Sequence, residues 1–312
     1  MGTALMVCSL PRMRVLHVTD THLGMDRFFR GAPTGWRRSD DHLAAFLRCL
    51  APAFAGEVDL VVHTGDVFDR SQPPPRAVAE AAEVFVELGR CVPTLVMPGN
   101  HDRHGLRGHF PNPIPGVTVI EEPTRVKLAG LAIAAVPFAR DAAEWRIGAA
   151  KASGGGVDVL LAHQSFDGSR VPGFVFRPEP GKETVGLGDL PAGVPTVLNG
   201  HIHTAQELLL GSTRIVHGGS TERTAFVERW EPKGGLVWHA DGGHLRRVDS
   251  EPRPMVSVRS ERDLAAITEG TLVSLSREIA GPEFEAEALA RGGWVAPWSA
   301  PRRQVGLFTP RA

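Results

Sequence analysis

Five short polar motifs stand at the ends of apolar runs in this chain, and their order constrains its fold more than any other feature. They are Asp20-Thr21-His22, Gly65-Asp66-Val67-Phe68-Asp69, Gly99-Asn100-His101-Asp102, Ala162-His163-Gln164 and Gly200-His201-Ile202-His203. The runs before them, at 14–19, 60–63, 94–97, 157–162 and 196–198, have strand length and are rich in Val and Leu. Helical stretches at 40–50 and 76–88 separate the first three. Short apolar strands alternating with helices predict an α/β fold with a largely parallel inner sheet. In such sheets ligands gather beyond the carboxyl ends of the strands, where Asp20, Asp66 and Asn100 all fall.

The second half changes texture. Val126-Lys127-Leu128 and residues 131–136 read as a hairpin around Ala129-Gly130. Residues 164–195, rich in Gly and Pro, predict a long surface excursion beside the motifs, a candidate lid or substrate wall. Strands recur at 207–210 and 213–217, joined by Gly211-Ser212, and again at 235–240 and 246–248. The pattern breaks at Glu251-Pro252-Arg253-Pro254. The C-terminal stretch beyond this break is too short for a second full core, so a small appended subdomain is expected there.

Composition narrows the class. With 42% hydrophobic and 22% charged residues the chain has an ordinary globular balance, which argues against a disordered or fibrous protein. No run approaches the roughly 18 apolar residues of a membrane helix. The first twelve residues lack the apolar stretch of a secretory signal, so a cytoplasmic location without membrane association is expected. Cys8, Cys49 and Cys91 show no CxxC spacing and read as reduced, packed thiols. A net charge of −1 excludes a uniformly basic surface, so contact with nucleic acid would rest on local patches. Two exist: Arg27, Arg30, Arg37 and Arg38 after the first motif, and Arg103, His104, Arg107 and His109 after the third. Arginines on a solvated loop would look the same one by one, but two patches abutting the motifs favour phosphate contact. Tyrosine is absent, which leaves Phe28, Phe29, Trp36 or Phe110 for base stacking or for loop packing.

The donors in the five motifs are carboxylate, carboxamide and imidazole. Together they suit two divalent cations such as manganese, iron or zinc, and no cysteine is placed for a soft thiolate site. Asp66, on the strand expected between the others, is the candidate bridge. Asp20, His22 and His203 are then left for the first ion, and Asn100, His163 and His201 for the second. His201 and His203 are separated by one residue, so the segment must bend for both to face the metals, and Gly200 is the expected source of that freedom. Two such ions would serve an in-line displacement at phosphorus. His101, beside Asn100 but not needed as a ligand, is the candidate general acid, its ring held by Asp69 or Asp102. Arg70 is a candidate clamp for a phosphate oxygen, or a surface ion-pair partner. His17, His63 and His217, standing alone, read as hydrogen-bonded core or loop residues.

At the level of whole motifs the chain resembles the calcineurin-like metallophosphoesterases, and within them the SbcD-type DNA repair exonuclease family. The resemblance rests on the stretch from Met13 through Asp20-Thr21-His22-Leu23-Gly24, on residues 65–69 with Pro73-Pro74, and on residues 98–102. Gly219-Ser220-Thr221-Glu222-Arg223 with Phe226 resembles the segment after the last metal histidines. It covers roughly residues 13–250. It implies a four-layer α/β/β/α metallophosphoesterase sandwich, two divalent metals that are commonly manganese, and exonuclease or endonuclease activity on DNA. It also implies Met13 as the natural start, with residues 1–12 a non-core extension, 13–250 the catalytic domain, and 251–312 a reduced cap-like C-terminal subdomain. Partners implied are DNA and an SbcC-like coiled-coil ATPase, while a homodimer stays open. The same metals would serve a small-molecule phosphodiesterase or phosphatase, and a DNA-binding scaffold with a structural metal site is the non-catalytic reading.

Overall fold

The computed structural model describes residues 13–102, 105–110, 113–171, 183–241 and 243–297. The extension 1–12, Arg103 with His104, and residues 172–182 within the 164–195 excursion lie outside the described residues.

β1 (Arg14–Val18) is buried at every position after Arg14, so it shows no polar alternation, as expected of a strand covered on both faces. It is followed by α1 (Arg38–Phe54), β2 (Leu60–His63), α2 (Pro75–Cys91), β3 (Thr94–Val96) and β4 (Val117–Val119). α2 opens on Pro75, in the first turn where a missing N–H is harmless, and buries Ala77, Ala81, Val84, Phe85 and Leu88 as one helical stripe. Next come β5 (Thr124–Leu128) and β6 (Leu131–Val136), an antiparallel hairpin. Both turn residues, Ala129 and Gly130, take positive φ, which matches the twist of the two strands. α3 (Ala142–Ser153) has no counterpart in any sequence period; Asp141 caps it by accepting from Ala143 N at 2.7 Å. The chain continues through β7 (Val159–Ala162), β8 (Ser165–Phe166), β9 (Thr184–Val185), β10 (Thr196–Asn199), β11 (Gln206–Leu210), β12 (Thr213–His217), β13 (Gly234–His239) and β14 (Leu245–Asp249).

Twelve of these strands form two six-stranded sheets. The first runs β14-β13-β1-β2-β3-β4 and the second β11-β12-β10-β7-β6-β5. The pairs β1–β2, β2–β3, β6–β7 and β7–β10 are parallel, whereas β13, β14, β11 and β5 add antiparallel pairs toward the edges. Alternation along the strands sorts side chains into three cores. Leu16, Val18 and Val61 face Phe46, Leu50, Phe85 and Leu88 of α1 and α2. Val15, Leu60, Val62 and Leu95 meet Ile133, Leu161, Leu198 and Val216 of the other sheet. Ala134, Leu160 and Val197 pack on Trp145 and Ala149 of α3. Helices, sheet, sheet and helix are therefore stacked as four layers.

The described residues group into two compact units. One holds the chain up to Met25 together with Ser39–Pro252; the other holds Asp26–Arg38 together with the chain from Arg253. The second unit contains β15 (Met255–Val258), a 3₁₀ turn at Glu261–Ala266, β16 (Leu272–Leu275), α4 (Pro282–Ala290) and β17 (Trp294–Val295). Its strands form a parallel sheet in the order β15-β16-β17 around Val258, Leu264, Val273, Ala288 and Val295. The 26–38 stretch joins it through reciprocal backbone bonds between Arg30 and Val295 at 2.8 and 2.9 Å. The Arg253 guanidinium lies 5.3 Å from the Trp36 ring and 4.5 Å from the Trp294 ring. Among the described residues no helix is long and apolar enough to cross a membrane.

Candidate metal centre

The site is built in the first unit from loops that leave β1, β2, β3, β7 and β10. The first two loops are zipped together: Asp20 N donates to Gly65 O at 3.0 Å, His22 N to Asp66 O at 3.1 Å and Leu23 N to Val67 O at 2.8 Å. Asp20, His22, Asp66 and His201 all have left-handed backbones, with φ of 51°, 46°, 52° and 71°. Such angles are uncommon outside Gly, and Asp, Asn and His are the side chains that tolerate them best. Four of them at one rim of the sheets mark a place where tertiary structure holds the backbone in a costly shape.

The bend expected at Gly200 occurs one residue later, at His201 itself. Gly200 is needed for closeness instead: a Cβ there would lie 2.3 Å from Thr19 Oγ1 and 2.7 Å from both His163 Nδ1 and Thr64 O.

The seven donors converge. His163 Nε2 lies 3.0 Å from Asn100 Oδ1 and 3.4 Å from Asp66 Oδ2. His201 Nδ1 lies 2.7 Å from the same Asn100 oxygen. On the other side His22 Nε2 is 3.1 Å from His203 Nε2 and 3.9 Å from Asp66 Oδ2, and His203 Nε2 is 3.8 Å from Asp20 Oδ1. Donor atoms of Asp20, His22 and His203, of His22, Asp69 and His101, and of Asp20, Asp66 and His163 each fall within 4.8 Å of one another. Asp66 thus stands between a His22/His203 side and an Asn100/His163/His201 side.

The donor chemistry fits a pair of hard-to-borderline divalent cations. Imidazole nitrogens facing each other and a carboxamide oxygen need a proton or a cation between them, and buried His22 Nδ1 has no hydrogen-bond partner among the described residues, its nearest carboxylate oxygen being Asp69 Oδ1 at 3.7 Å. Two of the ring nitrogens pointing away from the centre, those of His163 and His203, are fixed. His163 Nδ1 donates to Thr64 O at 2.7 Å, and His203 Nδ1 lies 2.9 Å from Glu228 Oε1 and 3.1 Å from Thr224 Oγ1. Buried Glu228 also holds Lys233 Nζ at 2.8 Å, and that ammonium donates to His203 O at 2.9 Å. Holding the far nitrogen of a histidine is how proteins orient a metal-binding ring. Glu228, Lys233 and Thr224 carry no motif that marks them in the sequence. The nearest signal is their place within or just beyond the Gly219-to-Phe226 resemblance.

Burial and mutual charge set the protonation of these groups. Burial pulls His163 down, but Asp66 and then Asp20 carry it up to about 9. Burial drives His201 down to about 3, with His163 adding to the effect. Asp66 is raised by burial but carried well below the carboxylate range by His163, His22 and His101, whereas burial leaves Asp20 raised.

His101 N donates to Asp66 Oδ1 at 2.7 Å, and the His101 ring packs edge-on against His22 with centroids 4.9 Å apart. The group holding that ring is the backbone carbonyl of Asp69, to which Nδ1 donates at 2.6 Å. Asp102 does different work from that expected of it. Its buried carboxylate accepts from Val67 N, Phe68 N and Gly99 N at 3.0, 3.0 and 3.1 Å, which fastens the β2 loop to the β3 loop. Burial and the Asp66 charge push it up to about 6 against those three donors.

The expected phosphate contacts fare unevenly. Arg70 is exposed, 3.8 Å from Asp69 Oδ2. Arg107 donates to Val119 O at 2.9 Å and sits 3.6 Å from Glu121. Arg30 is paired with Glu285 within the second unit and Arg38 is 2% exposed, while Arg27 is exposed. Arg103 lies outside the described residues. The lone histidines are core residues. His17 Nε2 meets Thr64 Oγ1 at 2.8 Å, His63 Nε2 meets Thr21 Oγ1 at 3.1 Å and His217 Nε2 meets Ser169 Oγ at 3.0 Å. Burial pushes all three down to about 3.

Comparison with known proteins gives this geometry its family. The DNA double-strand break repair protein Mre11 of Haloferax volcanii is 30% identical over 271 residues, 81% of this chain and 55% of its own. Its namesake in Thermoplasma acidophilum is 29% identical over 271 residues, covering 80% and 68%. That of Saccharolobus solfataricus is 27% identical over 207 residues, covering 63% and 51%. The chain spans about half the length of the Haloferax and Saccharolobus proteins. The calcineurin-like phosphoesterase family model matches residues 13–205, a stretch that contains all seven candidate metal donors. With more than half of the sequence matched, the chain belongs to the calcineurin-like phosphoesterases.

Proposed function

We propose that the protein is a manganese-dependent nuclease that hydrolyses phosphodiester bonds of DNA in double-strand break repair. The observation that carries the chemistry is Asp66 standing between two donor sets, with Oδ2 at 3.4 Å from His163 Nε2 and 3.9 Å from His22 Nε2. In this reading Asp20, His22 and His203 would hold one cation and Asn100, His163 and His201 the other, with Asp66 between them available to both. When bound, two such cations neutralise phosphate oxygens and bring the pKa of water toward neutrality. His101 supplies the leaving alkoxide with its proton. The Nδ1–H bond to Asp69 O fixes the ring and leaves Nε2 as the nitrogen that would donate. Asp102 keeps the Asp66 and Asn100 loops in register, and Glu228 holds the His203 ring. The DNA assignment rests on the repair relatives and on the family resemblance. An SbcC-like ATPase, a homodimer and a cytoplasmic setting belong to the same reading.

The test is degradation of end-labelled single- and double-stranded DNA with manganese, beside bis-p-nitrophenyl phosphate. Asp66→Ala and His101→Ala serve as controls, with metal content measured in each. DNA cleavage lost in both, with metals retained in His101→Ala, is the expected result. Hydrolysis of the chromogenic diester alone would move the substrate to soluble phosphodiesters.

A further inference from the structure

Beside the metal centre lies a cleft of about 590 Å³ lined by Gly99, Asp102, Glu121, Phe138, Arg140 and Glu144 among others. The volume is within the roughly 300–1,000 Å³ of small-molecule sites. Phe138, in the loop after β6, is half-buried, and its ring lies 5.8 Å from that of His201 and 6.2 Å from that of His163. Two of the seven donors are thus in ring contact with the cleft wall. Glu121 already accepts from Leu106 N and Arg107 N, and its charge and that of Glu144 disfavour a phosphate inside the cleft. A base and its sugar carry no such penalty, and an aromatic face is what a base stacks on. Arg140 is exposed and has no hydrogen-bond or ion-pair partner among the described residues, which leaves its guanidinium available to a backbone phosphate. The His101 ring packs on His22, at the other side of the donor array from Phe138.

Building on the phosphodiesterase reading, we infer that this cleft is a nucleoside subsite. In it Phe138 stacks the base next to the scissile phosphate on the side away from His101, and Arg140 contacts the next backbone phosphate along the strand. Phe138 is a substrate-binding residue here, not a support for His201.

Two esters with the same leaving group separate the roles: methyl p-nitrophenyl phosphate, with no base, and thymidine 5′-(p-nitrophenyl) phosphate, with one. For the manganese-loaded protein, Phe138→Ala should raise KM for the thymidine ester about tenfold, the scale of one base stacked on an aromatic ring. The methyl ester should keep kcat/KM, bound metal should be unchanged, and Phe138→Trp should restore the thymidine KM. Equal loss on both esters, or loss of metal, would show Phe138 to be a prop for the histidines and overturn the inference. Hydrolysis of neither ester by the unaltered protein would remove the parent reading and this one with it. Arg140→Ala, whose side chain supports nothing in the fold, gives an independent check. It should reduce the salt slope of single-stranded oligonucleotide binding by about 0.7 and leave the thymidine ester unaffected. An unchanged slope would remove Arg140 from the subsite.

Discussion

Glu228 Oε1 lies 2.9 Å from His203 Nδ1 while the other carboxylate oxygen holds Lys233 Nζ at 2.8 Å, so one acid serves a candidate metal histidine and a buried ammonium together. Glu228→Gln takes the counter-ion from buried Lys233 and leaves its ammonium only neutral acceptors such as His203 O and Ser220 Oγ, which costs about 3 kcal/mol. It also weakens the anchor of the His203 ring, exchanging a carboxylate acceptor for a neutral amide oxygen, a change worth about 10-fold in metal affinity. The double variant Glu228→Gln with Lys233→Met should recover most of the stability but none of the affinity. Urea titration together with manganese binding followed by electron paramagnetic resonance checks both. Recovery of both quantities in the double variant would mean that Glu228 acts only through folding.

Asp102 is the knot between two loops. Its replacement by Ala leaves Val67 N, Phe68 N and Gly99 N without an acceptor in a dry place, and each such loss is worth about 1–3 kcal/mol. Allowing for relaxation, the expected loss is about 3 kcal/mol, and Asp66 should shift with the loop that carries it. Differential scanning calorimetry should show a clear fall in Tm for Asp102→Ala and a smaller one for Asp102→Asn, which keeps an oxygen acceptor.

Gly200→Ala tests close approach without any change in backbone preference, because the left-handed residue is its neighbour His201. The added methyl would press on Thr19 Oγ1, His163 Nδ1 and Thr64 O, which are held by their own strands and cannot retreat far. We expect about 2 kcal/mol of destabilisation, the scale of overpacking in a tight interior, and a metal content reduced by roughly half or more. Inductively coupled plasma mass spectrometry on the purified variant measures the second quantity.

How much of the fold is legible in the sequence depends on how local each cause is. β1, β2, β3, β7 and β10 are legible because both faces of each are buried, which leaves unbroken apolar runs. The convergence of the candidate donors is legible because five polar motifs follow the ends of such runs in order, and adjoining strands bring those ends to one rim. α3 is not legible, since Trp145 is the one large apolar side chain in a buried stripe otherwise made of the small Ala142, Gly148, Ala149, Ala152 and Ser153. Gly148 sits there because Pro123 leaves no room: a Cβ would lie 2.6 Å from its Cγ. β4 is three residues long and none of them is fully buried, so it leaves neither an apolar run nor a period. The basic stretch 26–38 reads as flanking the metals because its sequence neighbour is Asp20-Thr21-His22. Its packing partners, Glu285, Trp294 and Val295, come some 255 residues or more later, and nothing local announces them. The Glu228–Lys233 pair is hidden for a related reason, since an acid and a lysine this close in sequence look like solvated surface until topology buries both.

The cysteines offer a check on the core that does not depend on the metal site. Cys49 is fully buried in α1, and burial pushes its thiol up to about 12, so at pH 8 only about one molecule in ten thousand carries the reactive thiolate. Cys91, at the end of α2, is exposed. In a Cys8→Ser background, dithionitrobenzoate at pH 8 should therefore titrate one thiol quickly and a second only when urea opens the helix layer. Raising the pH toward 9 increases the Cys49 thiolate about tenfold per unit but leaves it a minor species, so the slow phase should remain slow until unfolding. Two fast thiols at pH 8 would mean that α1 does not pack on β1 and β2 as Leu16, Val18 and Val61 require.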